Sequence, residues 1–255
     1  MEKRTDNIIA WIKGLFESTG GKTAIIGISG GKDSTVCGKL LVEALGKENV
    51  IGVLMPNGVQ KDIADSHRVI DLLGIKSVTV NICQPYAAMM AELDGAVKNA
   101  GESLAVYGNR GIETNLPARL RMCTLYSIAA MYPSARVCNT CNRSEDYVGY
   151  STKFGDGAGD FSPLSDLTVR EVLELGDDLG LPRDLVHKTP SDGMCGKSDE
   201  DNLGFSYAQL DSYILDVLDG VDLPKETRDA IERKHTQNLH KLLPMPKYEK
   251  ADYVE

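Results

Sequence analysis

The 255-residue chain reads as an α/β protein, a doubly wound parallel sheet with helices on both faces and extra helices toward the C-terminus. Three observations predict this. Short all-apolar runs, such as Val50-Ile51-Gly52-Val53-Leu54-Met55, suit strands buried on both faces. Stretches with helical spacing separate these runs, joined by short connections. The first run ends in a Gly-rich turn that leads at once into a helical pattern, Gly27-Ile28-Ser29-Gly30-Gly31-Lys32-Asp33-Ser34.

In chain order, Ile8, Ile9, Ile12, Leu15 and Phe16 stand at helical spacing beside Trp11, predicting a helix over 5–17 that Gly20-Gly21 stops. A strand over 23–28 follows, then the turn, then a helix over 34–45 ended by Gly46. The second strand covers 50–55, its loop 56–60, the next helix 61–73 up to Gly74, and the third strand 77–82. A helix over 85–98 and a polar, Gly-containing loop over 101–114 come next. A long helix is predicted over 115–132, with Pro117 in its first turn and Arg119 and Arg121 near its start. Two arginines there oppose the helix dipole and point to an anionic partner.

The fourth strand covers 135–138 and its polar loop 139–144, after which Glu145 and Asp146 open a helical turn. Residues 149–160 are too rich in Gly for a helix and read as a functional loop. Thr168-Val169-Arg170-Glu171 is a capping box that opens a helix over 169–179, ended by Gly180 and Pro182. The stretch 188–202 lacks periodicity and reads as a long loop of the kind that forms lids. Helices over 206–218 and 224–242 follow, and the polar residues after Pro246 are expected to be loosely held. No repeat or linker divides the chain, which reads as a single domain over 1–255.

The turn at 27–34 carries the chemistry. Two glycines let backbone N–H groups converge on a ligand. Ser29 and Ser34 add hydroxyl donors, and the helix adds its positive end. The fitting ligand is a phosphate or pyrophosphate. The commoner phosphate loop is excluded, because Asp33 follows Gly31-Lys32 and Ile26 stands where that pattern needs its first Gly. A carboxylate at Asp33 beside a polyphosphate is tolerable with Mg²⁺ between them. The sequence Ser-Gly-Gly-x-Asp-Ser after a buried strand resembles the pyrophosphate loop of the ATP pyrophosphatase superfamily, whose members cut ATP between its α and β phosphates.

Composition narrows the class. With 42% apolar residues the chain can bury a sizeable core. No apolar run approaches the roughly 20 residues of a membrane span, and Met1-Glu2-Lys3-Arg4-Thr5-Asp6 lacks the apolar segment of a secretory signal. A cytoplasmic protein without membrane attachment is expected. A net charge of −9 opposes non-specific nucleic-acid binding. Among six cysteines, Cys138 and Cys141 form the one C-x-x-C, with no second pair at zinc spacing; a redox or thiol-transfer role is the alternative reading of that pair.

Further stretches extend the resemblance along the whole chain. They are Asn115-Leu116-Pro117-Ala118-Arg119-Leu120-Arg121-Met122, Asn139-Thr140-Cys141-Asn142-Arg143-Ser144-Glu145, Gly149-Tyr150-Ser151-Thr152-Lys153-Phe154-Gly155-Asp156-Gly157, Asp199-Glu200-Asp201-Asn202-Leu203-Gly204 and His240-Lys241. In this order and with these gaps the chain resembles the NAD synthetase family in its short, ammonia-dependent form. The resemblance implies that the nicotinate carboxylate of deamido-NAD attacks the α-phosphate of ATP, and that ammonia then displaces AMP to give NAD. It implies an ATP site at Gly27, Ile28, Ser29, Gly30, Gly31, Lys32, Asp33 and Ser34, with Thr140 and Ser191, and Gln60 as an adenine contact. Metal ligation falls to Asp33 and Glu145, for Mg²⁺. Deamido-NAD would meet Arg119, Lys153, Asp160, His240 and Lys241, with Asp33 and Lys153 as the catalytic pair. It also implies a homodimer.

Two departures stand out. Val169 occupies a position where the family often has Lys, with Arg170 beside it as a substitute phosphate contact. The fourth-strand loop reads Cys-Asn-Thr-Cys-Asn where Gly-Thr-Gly-like residues are frequent. The glutamine-using form carries an N-terminal amidase domain, for which some twenty residues before the loop leave no room, so free ammonia is the expected nitrogen source. Two other classes share the loop: a tRNA-modifying pyrophosphatase, which would need an RNA-binding extension, and a nucleotide sensor without chemistry, which would have lost Asp33 or Glu145.

Overall fold

A computed structural model describes residues 2–60, 62–188 and 199–248 of the chain. Its centre is a four-stranded parallel sheet in the order β3-β2-β1-β4, formed by β1 (Thr23–Gly27), β2 (Val50–Leu54), β3 (Lys76–Thr79) and β4 (Ala135–Cys138). The register pairs Ile25 with Ile51 and with Val137. Alternation along β1 decides the two faces. Ala24 and Ile26 join the larger core with α1 (Glu2–Thr19), α2 (Lys32–Leu45) and α7 (Val169–Asp178). Ile25 joins the opposite core under α5 (Arg110–Ala129), with Met122, Leu125 and Ile128. Helices cover both faces, as the sequence predicts.

The remaining elements are α3 (Ile63–Leu73), α4 (Cys83–Asn99), α6 (Arg143–Val148), α8 (Arg183–Val186), α9 (Asp199–Leu203), α10 (Tyr207–Leu215) and α11 (Lys225–Leu242). A third cluster, with Val148, Phe205, Leu210 and Ile231, packs the C-terminal helices onto α6 and α7. Tyr147 and His235 stack there with ring centroids 4.2 Å apart. The C-terminal end of the 149–160 stretch returns to β4. The Asp160 N–H donates to the Val137 carbonyl, and the Asn139 N–H donates to the Phe161 carbonyl, each at 2.8 Å.

Several expected boundaries move. α2 begins at Lys32 rather than at residue 34, which places Lys32 and Asp33 in its first turn. β3 spans Lys76–Thr79 rather than 77–82. The largest shift is α5, which begins at Arg110 and absorbs the end of the expected 101–114 loop. Asn109 caps it by accepting the Ile112 N–H, and Glu113 Oε1 accepts the Gly108 N–H at 2.9 Å. Pro117 therefore lies in the interior of α5 and not in its first turn, and Arg119 and Arg121 stand two turns beyond its start. The dipole argument for those two residues falls away. The end of the expected 188–202 loop is helical, as α9. The rest of that stretch from 189, and the expected loose tail from 249, lie outside the described residues.

Candidate active site

The C-terminal ends of β1, β2 and β4 converge on the loop that joins β1 to α2. That loop is braced from within. The Ser34 hydroxyl donates to the Gly31 carbonyl (3.1 Å) and accepts the Ser29 N–H (3.3 Å), and the two serine hydroxyls lie 3.1 Å apart. Thr35 Oγ1 donates to the same Gly31 carbonyl at 2.7 Å. Gly30 holds φ +82°. Gly31, at the N-cap of α2, has no side chain to offer, and no side-chain cap is present. A fourteen-residue helix thus begins with N–H groups that, among the described residues, no side chain caps, beneath a serine-lined turn, which is an anion site.

Two carboxylates border this turn. Asp33 stands in the first turn of α2. Glu145 stands in the first turn of α6, where Asn142 and Glu145 form a reciprocal capping box. Asn142 joins the two, since its Nδ2 donates to Asp33 Oδ1 at 3.0 Å while its backbone N–H donates to Glu145 Oε2 at 3.2 Å. Desolvation, then the charge of Asp33, pushes the Glu145 carboxyl up to about 8 against the pull of Lys32 and the Asn142 N–H. Lys32 does not extend outward. Its ammonium bonds Asp33 Oδ2 at 2.8 Å and lies 5.6 Å from the centre of the Tyr207 ring. Tyr207 is itself buried, and its hydroxyl has no hydrogen-bond partner among the described residues. These oxygen donors suit Mg²⁺, which takes one or two carboxylates and completes its shell with phosphate oxygens and water. A buried hydroxyl left without a partner beside them fits a polar ligand at this place.

A second group gathers where α5, the 149–160 stretch and the end of α11 meet. Arg119 Nε donates to the Lys153 carbonyl at 3.2 Å, the Lys153 ammonium donates to the His240 carbonyl, and the Lys241 ammonium donates to the Gly149 and Ser151 carbonyls at 2.7 and 3.1 Å. Four of the five residues expected to meet a dinucleotide are thus linked through one backbone segment. Asp160, the fifth, accepts the Val137 N–H (2.7 Å) and the Tyr126 hydroxyl (3.0 Å), so both its oxygens hold β4 and α5. It also lines a crevice of about 260 Å³ with Asp146, Ser151 and Lys241. Thr140 lies in the turn between β4 and α6. Gln60 lies in the loop after β2, Arg170 pairs with Asp219 at 2.7 Å, and Ser191 lies outside the described residues.

Asn139 is a residue the sequence reading missed. Its Nδ2 donates to the Asp156 and Ala158 carbonyls (2.7 and 2.9 Å), and its Oδ1 accepts the Cys141 N–H (2.8 Å) and the Ser162 hydroxyl. It fastens the Gly-rich stretch to the end of β4 and replaces the glycine freedom absent from Cys138-Asn139-Thr140-Cys141. Asn142 was missed as well, although Asn-x-x-Glu before a helix was a readable signal. Cys138 and Cys141 are free, and burial raises the Cys141 thiol well above its ordinary range, which opposes a thiolate role.

Asp146 offers a test that needs no ligand. Burial, then the charge of Asp156, pushes its carboxyl up to about 6. The unfolded chain ionises it near 3.9, so the folded state loses relative stability as pH rises from about 4 to 6 and the loss is complete above that. Two units correspond to about 3 kcal/mol, which solvent screening at a partly exposed group reduces to about 1 kcal/mol. Asp146→Asn should therefore stabilise the protein by about 1 kcal/mol at pH 7.5 and have no effect at pH 4. Urea melts at the two pH values measure this, and an equal effect at both would refute the assignment.

A family model described as NAD synthase matches residues 4–250. The NH(3)-dependent NAD(+) synthetase of Methanococcoides burtonii is 37% identical, over 92% of this chain and 90% of that protein. Among solved structures, the NMN synthetase of Francisella tularensis superposes with a TM-score of 0.83 at 31% identity, over 97% of this chain and 98% of that one. The NH3-dependent NAD synthetase of Campylobacter jejuni, solved with a nitrate ion, gives a TM-score of 0.75 at 26% identity, over 98% and 99% of the two chains.

Proposed function

The chain belongs to the NAD synthase family, and on that premise we propose that it joins ammonia to the nicotinate carboxylate of deamido-NAD, activated by ATP on a magnesium site at Asp33 and Glu145. It is a ligase that forms a C–N bond with ammonia as the nitrogen donor. The observation that carries the site assignment is the uncapped N-terminus of α2 with two carboxylates, tied together by Asn142, at its mouth.

A carboxylate resists amidation because its leaving group would be an oxide. Attack of that carboxylate on the α-phosphorus breaks the bond to pyrophosphate and forms a carboxylic–phosphoric anhydride. Ammonia then adds to the carbonyl carbon, the C–O bond to AMP breaks, and the nitrogen loses a proton. The N–H groups of the 27–34 loop, with Ser29 and Ser34, receive the departing pyrophosphate. Bound Mg²⁺ would supply charge neutralisation on the polyphosphate. Thr140 lies within reach of the nucleotide phosphates in this reading, Gln60 serves the adenine, and Arg119, Lys153, His240 and Lys241 hold the dinucleotide. Lys153 offsets negative charge on the anhydride.

We also assign a homodimer and a cytoplasmic location. Met89 and Leu93 of α4, Tyr126 of α5, and Leu104, Tyr107 and Met131 are exposed large apolar side chains of the kind a second copy would cover. The location follows from the use of ATP; among the described residues no helix is long and apolar enough to cross a membrane.

The likeness to an NMN synthetase supports a second reading, in which the acceptor is nicotinate mononucleotide. One assay separates them. Deamido-NAD and nicotinate mononucleotide are each supplied with ATP, Mg²⁺ and either ammonium or glutamine, while AMP and pyrophosphate are followed. The expected result is NAD with ammonium and not with glutamine, with equimolar AMP and pyrophosphate, and a higher kcat/KM for the dinucleotide. A higher kcat/KM for the mononucleotide would establish the second reading.

A further inference from the structure

Building on the metal assignment above, we propose that Lys32 is a resident counter-cation that makes divalent-metal binding at Asp33 and Glu145 depend on the arrival of ATP. A lysine in the first turn of a helix beside a phosphate loop would ordinarily reach for the phosphate. Lys32 is instead 6% exposed. Its ammonium bonds Asp33 Oδ2 at 2.8 Å and lies under the Tyr207 ring. The charged groups that face it are Asp33, Glu145 and Asp199, from α2, α6 and α9. The ion pair with Asp33 keeps this buried ammonium in a partnered position. Phosphate recognition is left to the backbone N–H groups and the serines.

The consequence follows from charge. Once both are ionised, as metal ligation requires, Asp33 and Glu145 together carry two negative charges, and Lys32 neutralises one of them. A divalent cation entering without nucleotide leaves this desolvated cluster with an excess positive charge, which low-dielectric surroundings penalise. ATP brings compensating negative charge, so metal and nucleotide bind together more readily than metal alone. By linkage, metal must strengthen nucleotide binding by the same factor. A neutral side chain at position 32 leaves two carboxylates for one divalent cation, and the dependence on ATP should shrink. Lys32 acts through Asp33 and is a positioning residue.

The test uses Mn²⁺ as the metal and α,β-methylene-ATP, which cannot be cleaved at the scissile position. Free Mn²⁺ is read by electron paramagnetic resonance for the full chain, with Lys32→Gln and Lys32→Met compared to the unmodified protein. Both variants should bind Mn²⁺ alone at least about tenfold more tightly, and the tightening caused by the nucleotide should fall by the same factor. Thermal melts with Mn²⁺ alone should show a larger rise for both variants, whatever their starting stability. A lysine that served structure alone would lower the melting temperature and leave Mn²⁺ affinity unchanged, and that result would overturn the proposal while the metal site stood. Glu145→Gln is the control for the site: if Mn²⁺ binding with nucleotide survives that substitution unchanged, the site assignment fails and takes the role of Lys32 with it.

Discussion

Glu145→Gln should yield a protein that is more stable than the wild type at pH 7 and about 10³-fold less active in kcat/KM. The gain in stability follows from the carboxyl being held at about 8. The unfolded chain ionises Glu near 4.3. Between those values folding requires the group to keep a proton that the unfolded chain would release, so stability falls as pH rises from about 4 to 8 and then levels off. Gln ionises in neither state and escapes the cost, and its side-chain oxygen still accepts the Asn142 N–H that Glu145 Oε2 accepts at 3.2 Å. Allowing for the coupling to Asp33 and Lys32, a gain of roughly 2 kcal/mol at pH 7, absent at pH 4, is expected. The loss of activity has a separate origin. A metal ligand must be ionised, so loading the site releases the Glu145 proton, and Gln removes a charge that stabilises a departing polyphosphate, worth several kcal/mol in the transition state. Urea melts across pH and steady-state NAD formation measure the two effects independently. Activity within tenfold of the wild type would remove Glu145 from the metal site.

The parts of this design that were legible in the sequence are local ones. The apolar runs of β1 and β2 and the helix stops at Gly46 and Gly74 depend on a few neighbouring residues, and so does the capping box at Thr168 and Glu171. The anion-binding turn was legible for the same reason, because its two glycines, two serines and helix start are contiguous. Features set by distant partners were not. Little near Lys32 shows that it turns inward, since apart from the adjacent Asp33 the groups around it come from α6, α9 and α10. Asn139 reads as a polar loop residue until the carbonyls of Asp156 and Ala158 are brought to it. The start of α5 was obscured by its own composition: a polar, Gly-containing stretch reads as a loop, although Asn109 and Glu113 supply the caps that make it a helix.

Gly30→Ala should destabilise the protein by about 2–4 kcal/mol and lower kcat/KM for ATP by about 10²-fold or more, whereas Gly31→Ala should leave the fold nearly intact. The two glycines are adjacent in sequence and differ in what surrounds them. Gly30 holds φ +82°, a region costing an L-residue about 1–2 kcal/mol, and an added Cβ would lie 2.8 Å from both Asp65 Cβ and the Ser66 nitrogen. The obstructing atoms belong to the first turn of α3, so the turn itself must move away from α3. Displacing N–H groups aimed at a polyphosphate by a fraction of an ångström weakens every contact they make with the developing charge, which is why the activity falls along with the stability. Gly31 has φ −86°, and among the described residues its added Cβ would meet only Ser29 Oγ at 3.4 Å, an ordinary contact. Any effect of Gly31→Ala should appear in the KM for ATP and not in the urea midpoint. If the two variants lose equal stability, the packing of the turn against α3 is not what holds it in shape. If Gly30→Ala loses stability and retains full kcat/KM, the N–H groups of this turn are not the pyrophosphate site.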